Sequence, residues 1–462
     1  MSRPPDMVVN VLSGILGFFG LNGPTPPGDP LGAAVWAWVR NLAYQNGLLP
    51  FKGAVTGVRD PGTGVVTGDL GFTVPAGLPL TYTVTRAPDH GSVTVDSTGA
   101  YTYTPSVGPW VTDAFTVVAS DGIGASQNIA SVPVVTTIQM PISYNLHGIA
   151  VSPDGSRLYV ANSADTGEGH STVLVIDTAT NATIHTIAAG VTPQSVVLSP
   201  DGSRLYVTDW AEASNAIFPT TNGAVSVIDT AANAMIGRVE VGHGPSAIAV
   251  SPDGTTLYVA NETDATVSVI DIATNAVTHT VAVGRMPLGV AASPDGKHVY
   301  VVGYGVKTVT VIDTATAVVS STIPVPYSAG GVVVSPDGNR LYVIHSLSWD
   351  SIVSVIDPAA GTVIGTVGVP VYPRAVAVSP DGRRLYVANC DNNATTGCTK
   401  SVWVVDTAAR VVTNVIPVGD IINDSPVAVA VSPDGKYVYT VNSAYYGYEP
   451  LYNNQSVSVV TI

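Results

Sequence analysis

The ten residues VSPDGSRLYV, Val151–Val160, recur almost unchanged as LSPDGSRLYV, Leu198–Val207. In both copies Ser-Pro-Asp-Gly fits a type I turn, because proline is pre-set for the second position and glycine suits the fourth. Runs rich in Val, Leu and Tyr flank the turn, so the stretch predicts a β-hairpin. It holds no nucleophile beside a base, and we interpret it as a corner between two strands.

The SPDG tetrad belongs to a repeat that fills most of the chain. Its prolines are Pro153, Pro200, Pro252, Pro294, Pro336, Pro380 and Pro433. Each tetrad lies between strand A ("IAVS") and strand B ("RLYVAN"), and strands C ("VSVID") and D ("AVTHTVAVG") follow. Four strands per repeat are typical of a propeller blade, so seven repeats predict a seven-bladed β-propeller.

Closure of the ring can also be predicted. The last repeat stops at Ile462, directly after its strand C, whereas VVTTIQMPIS at 134–143 aligns with strand D. We therefore expect this N-terminal strand to complete the seventh blade, which leaves the ring without a full open sheet edge.

The repeat IAVSPDGxxLYVAN…VSVIDTATNAV resembles the YVTN β-propeller repeat of surface-layer-like and other exported prokaryotic proteins, over residues 133–462. The resemblance implies the fold and an extracellular or cell-envelope location. It does not name a function, because one fold serves many functions.

Residues 48–132 predict a second domain. LTYTVTRAPDHGSVTV alternates apolar and polar residues with period two, which favours a small antiparallel Ig-like sandwich. The segment resembles the cadherin-like, VCBS-type modules of bacterial surface proteins. The Asp-rich stretch that often precedes the LTYTV strand in that family is replaced here by FTVPAGLP, so calcium binding is not carried over.

Residues 1–47 predict a short helical segment. MVVNVLSGILGFFGL, Met7–Leu21, is too short for the ~20 residues of a membrane span, so no transmembrane span is predicted. It also lacks an A-x-A cleavage site, and we expect any export signal to lie upstream of Met1. Asp29 and Pro30 are typical of the start of a second helix. The predicted fold class is thus all-β, with this segment and the sandwich preceding the propeller.

The charge balance excludes one class of partner. The chain has 18 basic and 33 acidic residues, a net charge of −15, and no basic run. Because nucleic-acid binding requires cations that neutralise phosphates, we expect no nucleic-acid partner.

The two cysteines lie in one polar segment, NCDNNATTGCTK. The close spacing of Cys390 and Cys398 predicts a disulfide and therefore an oxidising compartment. The alternative is two reduced surface thiols. The spacing does not match a CxxC metal or redox motif.

Length variation between the blades lies almost entirely in the B–C connection. From the SPDG proline to the end of strand C the spacing runs from 19 to 29 residues, whereas the spacing from there to the next tetrad is nearly constant. All B–C connections of a propeller open on one face, and insertions confined to one face are typical of a binding face. Single aromatic residues stand in these connections, namely Trp210, Phe218, Trp349, Tyr445, Tyr446, Tyr448 and Tyr452. They favour recognition of a protein or a cell-wall glycan; alternatively, the rings fold back over the propeller mouth.

A second set of polar residues is expected near the central channel. Strand B ends on Asn162, Asp209, Asn261, His345, Asn389 and Asn442. These side chains either cap the B–C loop or form a polar ring at the channel mouth that could hold a cation or water. His147 and Arg374 follow the proline position at the start of strand A, where they could meet an anionic ligand. The Asp of each VID segment, by contrast, repeats with its turn and is expected to accept nearby backbone N–H groups.

No catalytic signature is found: the chain lacks G-x-S-x-G, H-E-x-x-H, a P-loop and G-x-G-x-x-G. The sequence therefore favours a non-enzymatic exported cell-envelope protein that binds a partner through the B–C face, with no catalytic residue, metal or cofactor predicted. The alternative is a lactonase-like propeller enzyme with an axial metal held at the channel mouth by Asp209, Asn261, His345 and Asn389. The sequence does not predict an oligomeric state.

Overall fold

The computed structural model describes most of the propeller and part of the N-terminal region. The described residues are 51–52, 56–59, 65–70, 72–73, 80–88, 91–105, 113–120, 125–132, 135–140, 145–163, 171–210, 222–345, 352–369, 372–393, 397–418, 424–444 and 455–462. The helical segment predicted for residues 1–47 lies outside them. The described residues form strands and no helix, so none offers a helix that could cross a bilayer.

The chain divides into two compact units, Met1–Val134 and Val135–Ile462. The first is a sandwich of short antiparallel strands. One sheet has the order β2-β3-β7-β6 (Thr56–Arg59, Val66–Asp69, Ala100–Pro105, Gly91–Val95), the other has the order β5-β8-β9 (Thr81–Arg86, Asp113–Ser120, Ala125–Val132), and β1 pairs with β4 (Phe51–Lys52, Phe72–Thr73). Tyr101 and Phe115 meet edge-to-face in the core between the sheets, with ring centroids 5.3 Å apart.

The second unit consists of seven four-stranded antiparallel sheets, each in the order A-B-C-D. Blades 1 to 3 are β11–β14 (Asn145–Val151, Arg157–Ser163, Thr172–Asp177, Ala182–Ala188), β15–β18 (Pro193–Leu198, Arg204–Asp209, Ala224–Asp229, Ala234–Glu240) and β19–β22 (Pro245–Val250, Thr256–Asn261, Thr266–Asp271, Ala276–Ala282). Blades 4 and 5 are β23–β26 (Pro287–Ala292, His298–Gly303, Thr308–Asp313, Val318–Pro324) and β27–β30 (Gly331–Val334, Leu341–Ile344, Ile352–Asp357, Thr362–Gly368). Blade 6 is β31–β34 (Pro373–Val378, Arg384–Asn393, Gly397–Asp406, Val411–Pro417).

Blade 7 takes its strands from both ends of the unit. Its inner three strands are β35–β37 (Asp424–Val431, Tyr437–Ala444, Ser456–Thr461), and the outermost is β10 (Val135–Gln139). β10 pairs antiparallel with β37, from Val135 opposite Val460 to Gln139 opposite Ser456. The all-β fold class, with a seven-bladed propeller after an Ig-like sandwich, is confirmed.

The core lies between neighbouring blades. Seven apolar clusters each join two adjacent sheets, including the cluster between blades 7 and 1. The tyrosine of the LYV segment is buried in each of them, as Tyr159 and Tyr206 illustrate. Each blade therefore buries both faces only when both neighbours are present.

The SPDG turn is built by its own side chains. In blade 1, Ser152 Oγ donates to Asp154 Oδ1 at 2.5 Å and accepts from the Arg157 N–H at 2.9 Å. The hydrogen bond from Ser152 is the main cause that lowers the pKa of the Asp154 carboxyl to about 2. The same network recurs in blade 2 around Asp201. The prediction that the VID aspartates cap their turns is confirmed, since Asp177 Oδ1 accepts from the N–H groups of residues 179 and 180.

Each turn also touches the next one around the ring. Gly202 has a φ of +71°, and a methyl group on it would lie 2.9 Å from Cδ of Pro153 in blade 1. The corresponding glycine faces the proline of the preceding blade in every blade, including Gly155 and Pro433 across the closure. Glycine is therefore required both for the positive φ and, where the contact is short, for the approach of the neighbouring proline.

Two glycine substitutions should separate these requirements. Gly202 and Gly296 have the same φ of +71°, but a methyl group would lie 2.9 Å from Pro153 in the first case and 3.8 Å from Pro252 in the second. Gly296→Ala should cost about 1–2 kcal/mol for the left-handed backbone alone, and Gly202→Ala about 1–3 kcal/mol more because the proline must move. Urea unfolding followed by circular dichroism measures both, and equal losses would show that the proline contact does not restrict the turn.

Candidate functional site

Strand A forms the inner wall of the propeller. It contacts strand A of the next blade all round the ring, and β11 contacts β35 where the ring closes. The backbones of neighbouring A strands approach closely at two glycines. A methyl group placed on Gly148 would lie 2.8 Å from the carbonyl oxygen of Gln194, and one placed on Gly289 would lie 3.2 Å from Cα of Gly331. Small residues at this position let the backbones of adjacent A strands line the channel.

His147 and Arg374 both lie at the start of a strand A, in β11 and β31. Arg374 is exposed. His147 is half-buried, and its Nε2 is shielded from water without a hydrogen-bond partner among the described residues. Burial lowers the pKa of His147 to about 4, so the imidazole is neutral at pH 7 and could meet an anion only through a hydrogen bond.

The predicted polar ring lies one strand away from the channel. All six residues at the ends of the B strands are buried, namely Asn162, Asp209, Asn261, His345, Asn389 and Asn442. In blades 2 and 3 the last residue of strand B pairs with the proline that opens strand A, as Asp209 does with Pro193. The side chains are therefore buried at the ends of the B strands, and the polar ring at the channel mouth stays a prediction.

These buried side chains hold the D–A loops and strand C. Asp209 accepts the N–H groups of Val191 and Thr192, both at 2.9 Å. His345 Nδ1 lies 3.0 Å from the Tyr327 carbonyl oxygen, and its Nε2 lies 2.8 Å from Ser354 Oγ. The sequence left open whether this set caps the B–C loop or holds an ion, and the structure shows a third role, support of the loop that enters the blade.

An axial metal does not fit the residues predicted to hold it. Asn261 Nδ2 donates to Thr266 and Ser268 at 3.0 and 2.9 Å, whereas its Oδ1, the atom that could bind a metal, is buried without a hydrogen-bond partner among the described residues. Asp209 and His345, by contrast, already direct their polar atoms into the blade. A metal on the channel axis would need these side chains to leave buried partners unpaired. Within the part of the chain that the structure describes, no three His, Cys, Asp or Glu side chains are grouped as a metal site would require.

The mouth between blades 2 and 3 presents an aromatic ring beside an oriented imidazole. Trp210 is half-buried, and its six-membered ring lies against the backbone of Gly244, whose φ is +65°. The neighbouring His243 donates its N–H to Asp264 Oδ2 at 2.7 Å, and its Nδ1 lies 2.9 Å from Oδ1. Sequence reasoning missed His243 and Asp264 because they belong to different loops that meet only in the folded ring.

Glu262 follows directly after strand B of blade 3, and its carboxyl group is half-buried. Its N–H donates to the Gly244 carbonyl oxygen at 2.8 Å, and burial raises the pKa of its side chain to about 7. It occupies the position that Trp210 holds in blade 2 and Tyr304 holds in blade 4. The residue directly after strand B is thus Trp, Glu or Tyr in blades 2 to 4, and it is serine in blades 1, 5 and 7. The residue before it is a buried polar group in six blades.

The remaining predicted binding residues are not placed. Phe218, Trp349, Tyr445, Tyr446, Tyr448 and Tyr452 lie outside the described residues, as do the side chains of Cys390 and Cys398. The backbone register puts Cys390 opposite Lys400 and Cys398 opposite Asn392, so the cysteines are diagonal neighbours. A disulfide joins most readily two directly opposed residues, and the pairing stays a prediction.

Two families match this chain. The family described as "Lactonase, 7-bladed beta-propeller" matches residues 145–322, and "Bacterial Ig domain" matches residues 53–135. Residues 145–322 are therefore similar to a lactonase-type seven-bladed propeller, and residues 53–135 are similar to a bacterial Ig domain. No curated protein matches the sequence.

Among solved structures, the chain is similar to the hydrazine synthase of Kuenenia stuttgartiensis. The two share 25% sequence identity over 71% of this chain and 98% of the other, with a TM-score of 0.56. The similarity covers the propeller architecture, and a shared architecture does not carry an activity with it.

The loop-supporting role of Asp209 can be tested with the residue types that other blades use. Asp209→Ala should lower the free energy of unfolding by about 2–3 kcal/mol, because two buried N–H groups lose their acceptor. Asp209→Asn should keep most of the stability, since asparagine ends strand B in four other blades. Arg238→Ala is the control, because its guanidinium is 3.4 Å from Asp209 and about half exposed. Urea unfolding measures all three, and an unchanged midpoint for Asp209→Ala would contradict the role.

Glu262 should make stability depend on pH. Its pKa is raised from 4.5 to about 7 in the folded state, so the folded protein binds the proton more tightly and stability falls as the pH rises from about 4.5 to 7. Glu262→Gln should remove this fall and be more stable than the wild type at pH 8 by about 1–3 kcal/mol. The melting temperature from pH 4 to 8 measures it. Glu240→Gln, at an exposed carboxylate, is the control, and parallel curves for wild type and Glu262→Gln would contradict the assignment.

Proposed function

We propose that the protein is an exported, non-enzymatic component of the bacterial cell envelope that binds a partner through the B–C face. The observation that carries the proposal is that the blades differ from one another mainly in their B–C connections. The A–B turns keep the same hydrogen-bond network from blade to blade, whereas the B–C connections differ in length and carry the single aromatic residues. Residues needed by every blade stabilise the fold, and residues present in one blade are available for recognition.

The environment of Trp210 supports this assignment. Trp210 is the first residue of the B–C connection in blade 2. That blade has the longest spacing from the SPDG proline to the end of strand C, 29 residues. Its ring rests on Gly244 and remains partly exposed, beside the His243–Asp264 pair. Partly exposed tryptophan with polar neighbours is typical of binding surfaces for proteins and for glycans. The bacterial Ig domain at residues 53–135 supports an extracellular location.

The second candidate is a lactonase-like enzyme, and the family match over residues 145–322 favours it. The predicted axial ligands speak against the form with an axial metal, because Asp209 and His345 hold loops inside the blades. An enzyme built on this propeller would need other groups, and the binding function therefore accounts better for the described residues.

Co-sedimentation with isolated bacterial cell envelopes tests the proposed function. The wild type should sediment with them, and a variant with Trp210, Trp349 and Tyr445 replaced by alanine should bind at least about tenfold more weakly, because aromatic anchors dominate such interfaces. Digestion of the envelopes with protease or with muramidase distinguishes a protein partner from a glycan partner.

Arg383→Ala is the matched control, because Arg383 is exposed on the opposite, A–B turn face. It should sediment as the wild type does. Equal losses for both variants would contradict the choice of face, and no sedimentation of the wild type would contradict envelope binding itself.

A further inference from the structure

Blades 3 and 4 carry the same loop arrangement with different charges. In blade 3 the loop residue His243 faces Asp264 in the B–C turn, and its N–H and its imidazole both bond to that carboxylate. In blade 4 the same two positions are Arg285 and Val306. In both blades the glycine before this loop residue packs against the side chain of the B–C turn. A methyl group on Gly242 would lie 2.6 Å from the Asp264 carboxylate, and one on Gly284 would lie 3.4 Å from the Val306 side chain. Blade 4 thus has an arginine where blade 3 has a histidine, and an apolar side chain where blade 3 has a carboxylate.

A second cation lies in the same B–C connection as Val306. Lys307 follows Val306, and both Lys307 and Arg285 are exposed. Among the residues that the structure describes, neither cation has an ion-pair partner. Acidic residues outnumber basic ones by 33 to 18 in this chain, so two cations in neighbouring loops without a described carboxylate partner are a departure from its general charge. They attract an anion from outside the chain.

An exposed aromatic ring completes this surface. Tyr304, in the same connection, is 44% exposed. Its N–H donates to the Met286 carbonyl oxygen at 2.9 Å, and the N–H of Gly305 donates to Ser328 Oγ at 2.7 Å. The connection is therefore fixed to the loops on both sides. Only four residues join strands B and C here, from Gly303 to Thr308, so no insertion in blade 4 itself covers the ring.

Gly303 sets the position of Arg285. Six blades end strand B on a buried polar residue, and blade 4 has Gly303 there. A methyl group on Gly303 would lie 2.6 Å from the carbonyl oxygen of Arg285, so the loop packs directly on the strand backbone. This close approach brings Arg285 next to the connection that carries Tyr304 and Lys307. We call these three residues the blade 4 tip.

We propose that the blade 4 tip is a subsite for an anionic saccharide, a sugar that carries a carboxylate or a phosphate group. A guanidinium binds either group through two parallel hydrogen bonds, and an ammonium adds a second positive charge. The exposed tyrosine provides an apolar face on which a sugar ring can stack, and its hydroxyl can bond to the sugar. The inference rests on the proposed function and names the chemistry of its partner.

Isothermal titration of the full chain measures the binding. The probes are trigalacturonic acid, mannose 6-phosphate, neutral maltotriose and the acidic peptide tetraglutamate. At least one acidic sugar should bind, and the two of them distinguish a carboxylate from a phosphate ligand, whereas maltotriose should not bind. Arg285→Gln and Lys307→Gln should each weaken binding at least about tenfold, because each removes a charged hydrogen-bond donor. Tyr304→Ala should weaken it more than Tyr304→Phe does.

The sharpest variant recreates blade 3 in blade 4. Val306→Asp places a carboxylate opposite Arg285 and should abolish binding of the acidic sugar while the melting temperature stays close to that of the wild type. Arg383→Gln, at an exposed arginine on the opposite A–B turn face, is the control and should bind as the wild type does. If Val306→Asp unfolds the protein, Arg285→Gln at an exposed position gives the same test.

Three results would overturn the inference: unchanged affinity in Arg285→Gln and Lys307→Gln, tetraglutamate bound as tightly as the sugars, or no acidic sugar bound by the wild type. In that last case the envelope assay separates the two proposals. Envelope binding that depends on Trp210 leaves the proposed function standing while the subsite falls. Loss of both would overturn the proposed function as well.

Discussion

In every blade of the propeller, the glycine of the SPDG turn faces the proline of the preceding turn. Each glycine takes a positive φ, and Pro153 against Gly202 shows how little room a side chain would have. The glycine faces a proline all round the ring, and the approach is tightest at Gly202 and Gly254, where a methyl group would lie 2.9 and 3.1 Å from the proline. The buried tyrosines pack against apolar residues of the next sheet. The repeated ten residues therefore encode both a hairpin and the position of the neighbouring hairpin.

The opposite face follows a different rule. There each D–A loop enters a blade over the buried end of strand B, as Asp209 and His345 show. The next residue outward differs between blades: it is Trp210, Glu262 and Tyr304 in blades 2 to 4, and serine in blades 1, 5 and 7. A uniform inner layer beneath a variable outer one is the arrangement expected when a stable ring carries a surface under separate selection.

The repeat made the strand pattern, the turn type and the blade count predictable, because each depends on local spacing and turn chemistry. The capping role of the VID aspartates was predictable for the same reason. The surroundings of the polar side chains at the ends of the B strands were not predictable. Alternation along a strand shows which face a side chain takes, but it does not show which loop covers that face. Asp264 next to His243 and Val306 next to Gly284 show the same limit. These neighbours come from different loops, and only the closed ring brings them together.

The pairing of β10 with β37 has a consequence for biosynthesis. The two strands are separated by more than 300 residues, although they are neighbours in one sheet. At a synthesis rate of about 5–20 residues per second, β10 waits roughly 15–65 s for its partner. During that interval the growing array of blades has an open edge at each end, and the apolar faces of blades 1 and 6 have no neighbour to cover them. The chain is thus most prone to aggregate just before β37 is made, and ring closure is the step that ends the exposure.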